Sequence, residues 1–176
     1  NLFHLIDSYI QANYDGKSLI FVGDGELRQS LQNYVDEIGA DSVYFFGFQN
    51  RNMVSKYYAI SDVLILPSVR ETWGIVVNEA LCFGLPVIVS NQVGAGIDLV
   101  KNGYNGYRVE TDGDTLRRSI MQIAELPTEE RSLMESRSAD MMKEWLSRDL
   151  AESLVHVIES IRDCRHVNKA DDSNSG

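Results

Sequence analysis

Two glutamates eight positions apart, Glu71 and Glu79, bracket the segment ETWGIVVNE, and these are the acids whose setting most invites chemistry. The run that follows Gly74 contains Ile75, Val76, Val77, Ala80, Leu81, Cys82 and Phe83. It predicts a helix from Gly74 to Phe83 that is apolar on nearly every side and therefore buried. Glu79 falls in its second turn, where a buried carboxylate is costly unless it is hydrogen-bonded. The vicinal hydroxyls of a sugar would supply the donors; backbone N–H groups nearby would do so as well. The first turn leaves the N–H groups of Gly74, Ile75 and Val76 without intrahelical partners, and together with the helix dipole they favour a phosphate. Glu71, just ahead of that turn, would repel a phosphate but accept hydroxyls. Two acids around one anion-binding helix start suit a sugar bound together with its phosphate. Trp73 fits two roles, stacking on a ligand ring or anchoring the core.

These residues need elements to hold them. Leu2, Phe3, Leu5, Ile6, Tyr9 and Ile10 recur with helical spacing, so the chain opens on a helix. Strands are expected at 18–22, 43–46, 62–66, 86–90 and 106–110, and helices at 27–38, 52–60, 74–83, 96–101, 112–125, 128–146 and 148–161, with Thr128 as an N-cap. From about Arg165 the chain is polar and reads as a disordered tail. Alternating strands and helices, with strands that are continuous apolar runs, imply a doubly wound, mostly parallel Rossmann-like sheet with helices on both faces. Such a sheet ordinarily begins with a strand, so its founding strand is expected upstream of Asn1. The domain reading is a Rossmann-like body over 1–126, C-terminal helices over 127–163 and a tail over 164–176. The apolar stripe of the last helix (Leu150, Leu154, Val157, Ile158, Ile161) would cover either this domain's sheet or a second domain.

In an open parallel sheet, ligands bind at the carboxyl ends of the strands. The turns there are Gly23-Asp24-Gly25, Gly47-Phe48-Gln49, Pro67 to Trp73, and Ser90 to Gly96. Glycine allows a ligand to approach the backbone closely, but it also simply makes tight turns. Gly23-Asp24-Gly25 is neither a full GxGxxG nor a P-loop, and Gly94-Ala95-Gly96 reads as a second backbone approach or only a loop.

Composition narrows the function classes. The net charge is -10, from 26 acids and 16 bases, which sets the surface against nucleic acid and anionic lipid. No apolar run is long enough to span a bilayer. Cys82 and Cys164 are far apart, and Cys82 reads as a buried free thiol of a reducing compartment. The scattered histidines His4, His156 and His166 suggest no zinc site.

The stretch from Pro67 to Ser90 resembles the donor-site signature of glycosyltransferase family 4, the glycosyl transferases group 1, with support from Gly23-Asp24-Gly25, Phe46-Gly47, Val93-Gly94, Asp98, Gly103 and Asn105-Gly106. These are retaining enzymes of GT-B architecture, with two facing Rossmann-like domains. The resemblance implies that Glu71 lies beside the transferred sugar and is the catalytic residue, holding sugar hydroxyls and stabilising positive charge at the anomeric carbon. It implies that Glu79 bonds the nucleotide ribose, that the Trp73 to Val76 backbone (Trp73, Gly74, Ile75, Val76) lies on sugar and diphosphate, and that Gly47 and Phe48 edge the base, with Gly23 and Gly25 also on the donor side. No metal or other cofactor is implied. The partners implied are a UDP-, GDP- or ADP-sugar and, through an N-terminal domain outside this chain, a sugar or lipid-linked acceptor. The family's diphosphate-binding Arg and Lys precede the positions that Asn1 and Leu2 match; Arg70 occupies neither, so the chain alone is expected to be inactive. The expected location is cytoplasmic, with any peripheral membrane association carried by the remainder. A nucleotide-sugar epimerase of the same architecture and a non-catalytic nucleotide-sugar-binding module are the alternatives; a dehydrogenase lacks its glycine fingerprint here.

Overall fold

Short apolar runs and amphipathic stretches alternate along the chain, and the computed structural model, which describes residues 1–147, turns them into strands and helices in the expected order. The elements are α1 (Leu2–Gln11), β1 (Leu19–Val22), α2 (Arg28–Ile38), β2 (Val43–Gly47), α3 (Arg51–Ile60), β3 (Leu64–Leu66), α4 (Ile75–Cys82), β4 (Val87–Ser90), α5 (Gly94–Leu99), β5 (Gly106–Val109), α6 (Gly113–Ala124) and α7 (Thr128–Ser147). Contacts divide the chain into Asn1–Met142 and Lys143–Gly176, and everything below belongs to the first unit. The helix expected at 148–161, its apolar stripe, Cys164, His156, His166 and the polar tail lie outside the described residues.

Every strand pairing among the described residues is parallel. β1 pairs with β2, running from Leu19 opposite Val43 to Val22 opposite Gly47. β4 lies between β3 and β5, with Ile88 opposite both Ile65 and Tyr107. β4 is buried along its whole length, as suits a central strand of three apolar residues and a hydrogen-bonded serine between two neighbours. Its alternate residues face different helix layers. Ile88 joins Val109, Leu116, Ile120 and Ile123 in the core shared with α1 and α6. Val89 faces the other way, so close to α5 that a Cβ on Gly96 would stand 2.8 Å from its Cγ2. Helices therefore cover both faces, and the fold is the doubly wound α/β sheet that the alternation implied.

Three expectations change. β2 is not covered on both faces: Tyr44 and Phe46 are exposed while Val43 and Gly47 are buried, the alternation of a half-solvated edge. Thr128 is not the cap of α7 but its first helical residue, because the Pro127 carbonyl accepts the opening bond from Arg131 N at 2.9 Å. Proline at that position loses nothing, since it gives up only a donor. Cys82 is exposed rather than buried, and its helix is covered on one face only.

Candidate functional site

The loop between β3 and α4 is held by three separate tethers. Ser90, fully buried at the end of β4, donates its hydroxyl to the Ser68 carbonyl and accepts from Gln92 N at 3.2 Å. Glu71 bridges Val93 in parallel fashion, and Gly94 N donates to the Glu71 carbonyl at 3.3 Å. Ala95 N donates to the Trp73 carbonyl at 2.8 Å. The approach is tight enough to require glycine, because a Cβ on Gly94 would stand 2.1 Å from the Thr72 carbonyl oxygen. Gly94-Ala95-Gly96 thus begins α5 rather than forming a free loop, and the first of these glycines sets the position of Glu71.

Gly74 ends the loop and caps α4 in the left-handed region, at φ 91°, where glycine alone is unstrained. It is buried, and a Cβ there would meet Val93 Cγ1 at 3.0 Å and Glu71 Cγ at 3.3 Å. The Glu71 side chain therefore lies against the helix start, and its Oε1 accepts from Trp73 N at 3.4 Å. Trp73 is half-buried, and its indole N–H donates to Asn78 Oδ1 at 2.8 Å. The ring is tied to the flank of α4 instead of filling the core.

α4 buries Val77, Ala80 and Leu81, the residues that face the sheet. Ile75, Glu79 and Cys82, at i, i+4 and i+7, share the opposite face, and Ile75 is 63% exposed. Glu79 is therefore an exposed carboxylate and not the buried one that the apolar composition implied. Composition counts apolar residues around the helix; it does not say whether a layer covers each face.

One side chain escaped the sequence reading. The Tyr58 hydroxyl, on α3, donates to Glu79 Oε2 at 2.9 Å across 21 positions. Its ring stacks on Phe83, centroids 5.4 Å apart. Burial, followed by the hydrogen bond to Glu79 and its charge, raises the Tyr58 pKa far above the ordinary phenol value. No periodicity marks this pair, since it depends on how α3 packs against α4.

The residues at the ends of β1 and β2 form a second group. Gly23 N donates to the Gly47 carbonyl at 2.8 Å, which brings the two glycine turns together. Gly47, at φ 65°, has the Arg28 guanidinium over it, and Arg28 pairs with Asp24 at 3.4 Å in solvent. Gly23 and Gly25 have open space where a Cβ would be, and Phe48 is 80% exposed. α3 leads from this group to Tyr58 and Glu79. A cavity of ≈ 350 Å³ opens elsewhere, beside the end of β5, lined in part by Asn91, Arg108, Glu110, Thr115 and Arg118; neither Glu71 nor Glu79 borders it.

Residues 1–141 match the family described as Glycosyl transferases group 1. The chain is 38% identical over 89 residues, half of its length, to an uncharacterized glycosyltransferase of Methanocaldococcus jannaschii, and covers 23% of that protein. It is 34% identical over 109 residues, 60% of its length, to UDP-Gal:alpha-D-GlcNAc-diphosphoundecaprenol alpha-1,3-galactosyltransferase of Escherichia coli, and covers 27% of it. It thus spans about a quarter of the length of either relative. Anabaena Alr3699/HepE, solved in complex with UDP and glucose, superposes over 91% of this chain and 44% of its own at a TM-score of 0.72 and 23% identity.

Proposed function

The chain belongs to the glycosyl transferases group 1 family, and on that premise we propose that it is the donor-binding half of a two-domain enzyme that moves a hexose from a nucleoside-diphosphate sugar to an acceptor with retention of anomeric configuration. The observation that carries the reading is the amino end of α4. There a glycine-dependent loop holds Glu71 against the helix start, while Glu79 stands on the exposed face of the same helix. The donor named for the Escherichia coli relative and the ligands of the Anabaena structure support a nucleotide sugar here.

In this reading the anomeric carbon–phosphate bond breaks with positive charge growing on the sugar and negative charge on the leaving diphosphate. Glu71 orients the sugar through its hydroxyls and faces the developing positive charge. The N–H groups of Gly74, Ile75 and Val76 stabilise the leaving diphosphate, with cationic side chains from the rest of the enzyme. Glu79 takes the ribose hydroxyls. Gly47 and Phe48 border the base, and Gly23 and Gly25 leave their turn open to it. Trp73 contributes backbone while its indole stays on Asn78. Among the described residues each of β1 and β3 pairs on one side only, and one further strand between them would give the doubly wound order. The acceptor, a sugar or a lipid-linked sugar, binds the other domain, so the glutamates sit on an open surface that this partner closes. No helix among the described residues is long and apolar enough to cross a membrane, and we place the enzyme in the cytoplasm, with any membrane contact through the other domain.

The test is a thermal-shift screen of the complete gene product against UDP-, GDP- and ADP-sugars, followed by assay of nucleotide release. One donor class should stabilise the protein and be cleaved only when an acceptor is present, and this chain alone should catalyse no transfer. Stabilisation by none of them, or conversion of the sugar to its epimer without nucleotide release, overturns the proposal.

A further inference from the structure

Glu79 is an exposed carboxylate on a helix, and such side chains ordinarily sample several rotamers. Here one oxygen is occupied: Oε2 accepts from the Tyr58 hydroxyl at 2.9 Å. We propose that Tyr58 is a positioning residue for donor binding, holding Glu79 in one orientation so that its remaining acceptor capacity is aimed at the vicinal hydroxyls of a ribose. The proposal rests on the reading of Glu79 as the ribose-binding acid.

Tyr58 is itself well placed to hold something still. The Asn50 side chain caps α3, accepting from Met53 N at 3.0 Å, and Ser61 Oγ closes its other end by donating to the Tyr57 carbonyl at 2.7 Å. Tyr57 packs on Phe46 of β2, ring centroids 4.9 Å apart, which ties the helix to the sheet. The Tyr58 ring lies on Phe83, just beyond α4, at an interplanar angle of 26°. The phenol thus reaches Glu79 from a helix capped at both ends and tied to β2 through Tyr57, while Glu79 stands on the neighbouring one. With its pKa raised by burial and by Glu79, the phenol stays a donor into the alkaline range as well.

A carboxylate offers about four lone-pair positions. The phenol takes one on Oε2 and leaves Oε1 whole, which suits two hydroxyls on adjacent carbons. Fixing the acid before the ligand arrives spares binding the entropy of ordering it, which is where preorganisation gains affinity.

The experiment uses the complete gene product and whichever of UDP, GDP and ADP raises its melting temperature most, titrated calorimetrically beside the 2′,3′-dideoxy form of the same nucleotide. Wild type should prefer the ribose form. Tyr58→Phe keeps the ring on Phe83 and removes only the hydroxyl, so affinity for the ribose form should fall roughly tenfold, the loss typical of a hydrogen bond to a charged group. Affinity for the dideoxy form should not change, and the preference should shrink by the same factor. Glu79→Ala should abolish the preference. If Tyr58→Phe weakens both nucleotides equally, or leaves the preference intact, Tyr58 is merely structural and the proposal is overturned. If Glu79→Ala retains the full preference, the ribose reading itself has failed, and that outcome is distinct because it does not depend on Tyr58. A complete protein that binds none of the three nucleotides overturns both.

Discussion

The β3–β4–β5 half of the fold and the β1–β2 half present their strand ends in opposite ways. After β3, the chain is pinned by Ser90, Val93, Gly94 and Ala95, and Gly94 and Gly74 are boxed in by neighbouring atoms. After β1 and β2, Gly23 and Gly25 have open space around them and Phe48 stands in solvent. In the first half Gly94 and Gly74 are required by what they touch; in the second, Gly25 has neither a close neighbour nor a left-handed backbone to require it. The proposed division of labour follows. A reacting sugar needs an acid held to a fraction of an ångström, and the packed half supplies one in Glu71. A base can be bordered by backbone and an exposed ring, and the open half supplies those.

The comparison breaks most visibly at Gly94. Gly94→Ala puts a methyl group 2.1 Å from the Thr72 carbonyl oxygen, and backbone on both sides must move. It should cost about 3 kcal/mol by denaturant titration, near the upper end for overpacking, and abolish transfer in the complete enzyme because Glu71 moves with the loop. Gly74→Ala should cost about 2 kcal/mol, from the left-handed backbone and the contacts with Val93 and Glu71, with activity lost in step.

A smaller effect tests the link between the halves. Burial and the bond to Glu79 raise the Tyr58 pKa, so above about pH 10 the unfolded chain releases a proton that the folded chain retains. Stability should therefore fall as pH rises beyond 10. Tyr9 and Tyr14, also raised chiefly by burial, share in that fall. Tyr58→Phe should show a shallower alkaline decline in melting temperature; an identical decline would mean that the phenol is not held as described. The smallest effect belongs to the open half. Gly25→Ala meets nothing within 4 Å and needs no left-handed backbone, so stability should stay within roughly 0.5 kcal/mol of wild type. A large loss there would erase the distinction between the halves.

The same contrast explains what was legible beforehand. Hydrophobic periodicity located each strand and helix of the first 147 residues, because burial against a sheet imposes the pattern that periodicity detects. The placement of Glu71 beside the start of α4 was legible as a local motif, a carboxylate just ahead of a glycine and an apolar helical run. Coverage was not. The apolar residues of α4 read as a buried helix, yet Ile75, Glu79 and Cys82 lie on an uncovered face, since a chain's sequence does not show what its partners or ligands will bury. Tyr58 was invisible for a different reason: its bond to Glu79 spans two helices whose packing no short-range spacing encodes. Gly94 carried a signal, the small residues after β4, but only the Thr72 carbonyl beside it gives the reason.

The central claim is that a sugar–diphosphate docks at the amino end of α4, and steady-state kinetics of Glu71→Ala and Glu79→Ala in the complete enzyme test it most directly. Glu71→Ala should lower kcat by roughly a thousandfold or more, having lost the group that orients the reacting sugar. Glu79→Ala should instead raise the donor KM by roughly tenfold to a hundredfold with kcat little changed, the mark of binding lost equally from ground and transition states. Near wild-type kinetics in both variants would contradict the account.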